Sequence, residues 1–351
     1  MKRPHLMLRL LTRLLLTLLI PLTTSWGALA LDYRLNWPPL AGYALVALWC
    51  LLGVLTLVLL WRRPPLWALS IHLLAFAVLL AWWHSLQPSN QRAWADDVAR
   101  MTQGRVVDEQ LLLDNVRNFD WRSDEDYDIA WESRSYDLRQ LASVDLLTSY
   151  WGMPAIAHIL VSFGFEDGRY LVFTVETRKE KGERYSELGG FFKEFELSIV
   201  ATDERDAVRV RTNVRDEDVY LYRIDMPRPV MRELLLSYVE QANTLVERPR
   251  FYNTLTANCT TIVFDMVQSI IGGLPVDHRL LLTGYLPGYV QDIGGLQQGY
   301  SLDALRNRGR ITGRARQADE AADFSRQIRQ GVPGWAVETK TNNDERPGRE
   351  E

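Results

Sequence analysis

The chain has 351 residues, 47% of them hydrophobic and 11% aromatic, and a formal net charge of −4. Residues 1–84 carry seven basic side chains against the single acid Asp32, whereas the other 267 residues carry 33 basic and 43 acidic ones. An acidic domain repels a phosphate backbone, which sets nucleic acid aside as a main partner. The aromatic content excludes overall disorder, and two cysteines exclude a disulfide scaffold or an all-cysteine metal site.

Residues 1–84 read as a membrane region. Three apolar runs, Leu14–Leu31, Leu40–Trp61 and Leu66–Trp83, are each about as long as a bilayer-spanning helix, and they lack the polar stripe of a surface helix. Trp49, Trp61, Trp67, Trp82 and Trp83 lie mostly near run ends, where indole favours the headgroup zone. Lys2, Arg3, Arg9 and Arg13 before the first run, and Arg62 and Arg63 between the second and third, place those segments in the cytoplasm. Everything after Trp83 is then outside the cytoplasm. Ala28-Leu29-Ala30 resembles a signal-peptidase site, and cleavage there would leave two helices. The basic stretch to Arg13 is long for a signal, which favours three. The C-terminal domain stays outside in either case.

Residues 85–105 read as a connector with an amphipathic start at Trp94, Val98 and Met101. A soluble α+β domain is expected over 106–334, and a disordered tail over 335–351. Strands are expected at Ile156–Phe165 and Tyr170–Arg178, joined by Glu166-Asp167-Gly168-Arg169 as a hairpin with a two-residue Asp-Gly turn. Further strands are expected at Glu194–Thr202, Val208–Thr212 and Val219–Ile224. Helical spacing covers Pro229–Arg248, and a second helix is expected from about Asn258 to Gly272-Gly273. The arginines at 306, 308, 310, 314 and 316 form a basic patch, read as a solvated face or as a contact for anionic headgroups.

The candidate chemistry narrows to one thiol and one imidazole. Cys50 lies inside an apolar run, so Cys259 is the only cysteine of the outer domain. It stands at or near a helix start, where backbone N–H groups and the helix dipole lower a thiol pKa and can contribute to an oxyanion hole. A small buried residue beside a polar cap is the alternative. A thiolate nucleophile needs an imidazole. His158 opens an apolar strand, whereas His278 sits in a loop and reads as a surface residue. No Gly-x-Ser-x-Gly and no His-Glu-x-x-His occurs, so serine and zinc hydrolase chemistry are weakly supported. No cofactor or metal is expected.

Several separated strings carry a resemblance. They are Ala157-His158-Ile159-Leu160-Val161-Ser162-Phe163, Val175-Glu176-Thr177-Arg178-Lys179-Glu180, Asp203-Glu204-Arg205-Asp206 and Phe251-Tyr252-Asn253-Thr254-Leu255-Thr256-Ala257-Asn258-Cys259-Thr260-Thr261. Val116-Arg117-Asn118-Phe119 and Val219-Tyr220-Leu221-Tyr222 accompany them. Over about Val106–Ile271 the chain resembles the Lnb N-terminal periplasmic domain family. That family is named for lipoprotein intramolecular transacylases, which move an acyl chain from the lipid-modified glycerol to the amino group of the N-terminal cysteine. The resemblance implies Cys259 and His158 as a catalytic pair and a membrane lipid or lipoprotein acyl substrate. The order His then Cys suggests, by analogy, a permuted papain-like (NlpC/P60-like) core with an antiparallel sheet and a helix carrying the cysteine.

In the mechanism this implies, Cys259 attacks an ester carbonyl and His158 returns the proton to the leaving alcohol. The Cys259 N–H and the Asn258 side chain steady the oxyanion. Glu176 is the candidate for orienting the imidazole. A two-residue turn would put Thr177 opposite His158 and point Glu176 to the other face. Glu176 could instead pair with Arg178 to hold the sheet. Tyr252 and Asn253 line the pocket or form the turn before the helix. A cysteine peptidase or cell-wall amidase, and a non-enzymatic envelope module, are the other readings. An apolar groove would favour acyl transfer, and an open polar cleft would favour the peptidase.

Overall fold

The computed structural model describes residues 3–35, 37–62 and 66–335. Lys2, Arg63 and the tail expected beyond Trp335 lie outside them. Contacts divide the chain into two compact units. One comprises Met1–Ala93, Thr177–Leu197 and Pro249–Thr256, and the other Trp94–Glu176, Ser198–Arg248 and Ala257–Glu351.

The first unit is built on α1 (Arg3–Arg34), α2 (Pro39–Arg62) and α3 (Leu66–Ser85). All three are long and apolar enough to cross a membrane. With no water between them, such helices associate through small residues and a few polar contacts. Gly53 of α2 packs on Thr24 of α1, and Gly27 of α1 packs on Trp49 and Leu79. Trp49 Nε1 donates to the Thr24 carbonyl at 2.8 Å, Trp61 Nε1 donates to Thr17 Oγ1 at 3.1 Å, and Thr23 Oγ1 lies 3.1 Å from His72 Nε2. In the same unit the segments 177–197 and 249–256 pair through a Glu196–Phe251 bridge, with Leu197 N–H bonded to the Arg250 carbonyl.

The second unit centres on an eight-stranded sheet. Its strands are β1 (Gln103–Val107), β2 (Gln110–Arg117), β5 (Trp131–Asp137), β6 (Leu141–Tyr150), β7 (His158–Phe165), β8 (Tyr170–Arg178), β9 (Glu196–Asp203) and β10 (Asp218–Arg223), while β3 (Asp120–Trp121) and β4 (Tyr127–Asp128) form a separate pair. The order is β1-β2-β9-β8-β7-β6-β10, with β5 also on β2. The sheet is mixed, and not the purely antiparallel one expected, because β2 and β9 run parallel at Arg117 and Thr202. Trp94, Val98 and Met101 are buried.

Helices complete the unit: α4 (Glu204–Arg209), α5 (Arg228–Glu247), α6 (Thr261–Ile271), α7 (Leu286–Asp292), α8 (Leu302–Gly309), α9 (Thr312–Ala318) and α10 (Phe324–Ile328). On one face of the sheet Leu147, Leu160, Val172 and Leu221 pack with Ala207, Ala315, Phe324 and Ile328. Tyr238 of α5 stacks on Phe173 and meets Phe163 edge-on.

The strand expected at Val208–Thr212 is instead α4 followed by a π-turn over Val210–Val214. The Asp203 side chain accepts from Arg205 N–H, an N-cap that starts a helix where β-branched residues alone suggest a strand. The arginines of the basic patch have local partners, and Arg310 and Arg316 remain largely exposed. Arg310 pairs with Asp218 and Arg316 with Asp216, Arg314 donates to the Ile328 and Arg308 carbonyls, and Arg306 lies over the Tyr150 and Tyr220 rings.

Candidate active site

The hairpin between β7 and β8 sets the site. Gly168 N–H bonds the Phe165 carbonyl, Phe165 N–H bonds the Arg169 carbonyl, and Gly168 has φ +85°. This is a three-residue loop, Glu166-Asp167-Gly168, closed by a glycine in the left-handed region. The two-residue turn expected from the sequence is therefore corrected. Leu160 pairs with Thr174 and Val161 with Phe173. The same register puts His158 across from Glu176, on one face of the sheet.

His158 Nε2 lies 2.6 Å from Thr174 Oγ1 and 3.1 Å from Glu176 Oε1. Thr174 Oγ1 donates to Glu176 Oε1 at 2.9 Å, and Arg211 Nη2 donates to the same oxygen at 3.1 Å. Arg211 is buried and also donates to the Ala207 carbonyl. A carboxylate fixed from three sides holds the ring through one nitrogen and leaves the other for the thiol.

Cys259 is buried in the turn before α6, not on that helix as expected. Asn258 shapes this turn, since its Oδ1 accepts the N–H groups of Thr260 at 2.9 Å and Thr261 at 2.8 Å. An Asx turn of this kind satisfies donors that a helix start would leave open.

The charges are coupled. Burial raises the Cys259 thiol, but hydrogen bonding from His158, the His158 charge, the Ile159 N–H and the Thr260 hydroxyl outweigh it, and the net direction is down. Burial lowers His158, but the Glu176 charge and hydrogen bonds to Cys259 and Glu176 reverse this and raise it to about 9. Burial raises Glu176, yet His158 and Arg211 hold it well below the usual carboxylate value. Near neutral pH His158 is thus held as imidazolium and Glu176 as carboxylate, and their neighbourhood favours the thiolate of Cys259 relative to a free thiol.

An apolar groove of about 380 Å³ opens on the opposite face of the sheet. Ile159 and Val161 of β7, Leu234 of α5, and Phe264 and Val267 of α6 line it, together with Thr260. Thr260 adjoins Cys259 and Ile159 adjoins His158 along the chain, so the groove begins at the immediate neighbours of both.

The remaining predicted positions fall elsewhere. Arg178 Nη1 donates to Asn90 Oδ1 at 2.8 Å, so the Glu176–Arg178 pair considered from sequence gives way to Glu176–His158 and Glu176–Arg211. Tyr252 N–H bonds the Phe195 carbonyl. Asn253 Oδ1 accepts from Leu255 N–H, Thr256 N–H and the Thr256 hydroxyl, which makes it a turn former. His278 is exposed beside Asp277. Ser162 donates to buried Glu204, within a network that also holds Arg329 and Asp145.

Sequence reasoning missed Thr174 and Arg211. Thr174 carried a usable signal, because it lies two residues before Glu176 on the same face of β8. Arg211 carried none while its segment was read as a strand. Two motif strings turn out to bind the scaffold. Arg117 and Asp206 form a buried bidentate pair, and Asp206 also accepts from the Phe119 N–H and Trp121 Nε1. Among the described residues, no group of three or more His, Cys, Asp or Glu side chains could hold a metal ion.

The arrangement is a thiol–imidazole–carboxylate line on a mixed α+β domain. Residues 127–284 match the family model of the Lnb N-terminal periplasmic domain. The match contains His158, Glu176 and Cys259, and Val116–Phe119 precedes it. No curated protein and no solved structure matches the chain. The papain-like kinship expected from the order His then Cys therefore rests on that order alone.

Proposed function

We propose that this protein is a membrane-anchored acyltransferase with Cys259 as nucleophile, acting on the periplasmic side of a bacterial inner membrane. The observation that carries this reading is the apolar groove beginning beside the thiol. Its size is within the range of small-molecule sites, and its lining suits an aliphatic chain. A peptidase of polar substrates would want an open polar cleft there. The acyl chain lies in the groove on one face of the sheet, and the leaving alcohol points toward His158 on the other.

The thiolate of Cys259 attacks the ester carbonyl of a membrane lipid or lipoprotein donor. The oxyanion is steadied by the Cys259 backbone N–H and the Asn258 side-chain amide. The C–O bond breaks as the His158 imidazolium gives its proton to the departing alcohol, leaving a thioester and a neutral imidazole. An amine then attacks the thioester, His158 takes its proton, and the amide leaves with the thiolate restored. Glu176, held by Arg211 and Thr174, keeps the ring oriented and stabilises its charged form. Anchoring spares the cost of drawing the chain into water, about 0.8 kcal/mol per methylene.

The test is full-length protein in phospholipid vesicles with a diacylglyceryl-cysteinyl peptide donor. A hydroxylamine-labile acyl group on Cys259, seen by mass spectrometry, and an N-acylated product are expected. Full transfer by Cys259→Ala would overturn the scheme. Cleavage of soluble peptides without acyl transfer would establish the peptidase instead.

A further inference from the structure

We propose that the segment Tyr185–Phe192 is a lipid-contacting element that enters the outer headgroup layer beside the helices. The proposal rests on α1–α3 crossing a membrane and not on the acyl chemistry. Phe192 is buried, and its ring stacks on Tyr33 of α1 at 5.7 Å, meets Trp83 of α3 edge-on at 6.3 Å and lies 6.5 Å from Trp26. Trp26 and Trp83 themselves meet at 5.2 Å. Tyr33 and Trp26 lie one and eight residues before the end of α1, so Phe192 sits between them, within about 12 Å of that end. Paired tryptophans at the outer end of a spanning helix mark the interfacial belt, and Trp82 and Trp83 occupy that place on α3.

Polar contacts hold the segment at this level. Lys193 Nζ donates to the Trp83 carbonyl at 2.7 Å and lies 4.8 Å from the Trp83 ring centre. Tyr33 Oη and Ser186 Oγ are 3.2 Å apart. Thr254 Oγ1 donates to the Glu187 carbonyl, and Gly190 packs closely on Thr254 and Tyr252, so the turn cannot lift away without breaking its own support. The neighbours of Phe192 nevertheless point outward. Leu188 is 55% exposed, Phe191 38% and Tyr185 42%. Exposed apolar side chains flanking a ring that packs on the outer ends of two spanning helices have lipid as their natural occupant.

The test uses full-length protein in phospholipid nanodiscs, with Cys50→Ser and Cys259→Ser to remove the native thiols. Nitroxides are attached singly through Leu188→Cys and Phe191→Cys, with Val276→Cys, 86% exposed, as the aqueous reference. Collisions with oxygen and with a water-soluble nickel chelate are read by electron paramagnetic resonance. Expected at 188 and 191 is a loss of nickel collisions with oxygen collisions retained. Nickel accessibility equal to that at 276 would overturn the proposal by placing the segment in water. Protection from both reagents would overturn it by showing a protein partner or a second copy on this surface.

Discussion

His158 and Glu176 face each other across β7 and β8 because the hairpin between those strands holds three residues and not two. A strand has a side-chain period of two, so one residue more or less in the turn sends every later side chain to the opposite face. Gly168, at φ +85°, supplies the left-handed step that absorbs the extra residue. The imidazole–carboxylate contact of 3.1 Å is thus decided about ten residues away from it along the chain.

Glu176→Gln should keep the fold and lose most of the activity, by about 10²-fold or more if the carboxylate acts as other imidazole-orienting acids do. Losing the Glu176 charge leaves burial, which lowers His158, unopposed on that side. The alkaline limb of the pH–rate profile, expected near 9 in the wild type, should move to lower pH. Glu176 is depressed in the folded state, so its contribution to stability is present above the ordinary value of 4.5 and is lost as the pH falls through the lowered one. The variant should therefore flatten the acid side of the stability curve. An unchanged rate and pH profile would remove Glu176 from the mechanism.

Cys259 should alkylate faster at pH 6 than a free thiol does, in protein whose site is opened to a small reagent, because its pKa is lowered mainly by His158 against the opposing effect of burial. His158→Ala removes that support. The labelling rate at pH 6 should then fall about tenfold or more, and burial should take the thiol above its ordinary value. Equal rates in the two proteins would show that the pair is not coupled.

Much of the arrangement was legible in the sequence, and the misses have physical causes. The three apolar helices follow from hydropathy alone, since lipid permits nothing else for such runs. His158, Cys259 and the β7–β8 hairpin follow from scarcity, strand propensity and an Asp-Gly signal. The register does not, because Glu166-Asp167-Gly168-Arg169 reads equally as a two-residue or a three-residue loop. The segment Val208–Thr212 shows a different limit. Its β-branched residues were overridden by the Asp203 cap and by Arg211, which reaches Glu176 from a π-turn. The mixed character of the sheet also escaped, as the pairing of β2 with β9 joins segments about 80 residues apart.

Arg329→Met should destabilise the domain by about 3–5 kcal/mol, since it would strand two buried carboxylates without their cation. Arg329 donates to Asp145 Oδ2 at 2.9 and 3.0 Å and to Glu204 at 2.6 Å, and burial already raises Asp145. The check is denaturant unfolding of the full chain, with Arg326→Met as an exposed comparison expected to change little. A loss below about 1 kcal/mol would place the pair among weak surface-like bridges.

Filling the groove separates acyl transfer from other thiol chemistry. Val267 lines the groove from α6, partly buried, and Val267→Trp would occupy space that the far end of a long chain requires. Each methylene displaced from apolar contact costs about 0.8 kcal/mol, so losing about four costs about 3 kcal/mol, or roughly a hundredfold in relative kcat/KM. A hexadecanoyl donor should therefore suffer by about that factor relative to a butanoyl donor, while the rate of Cys259 alkylation, set beside His158, stays unchanged. Competition between the two donors in one vesicle preparation reads the ratio directly. An equal loss for both donors, with alkylation intact, would mean that the chain lies elsewhere and that the groove serves only to pack α5 and α6 against the sheet.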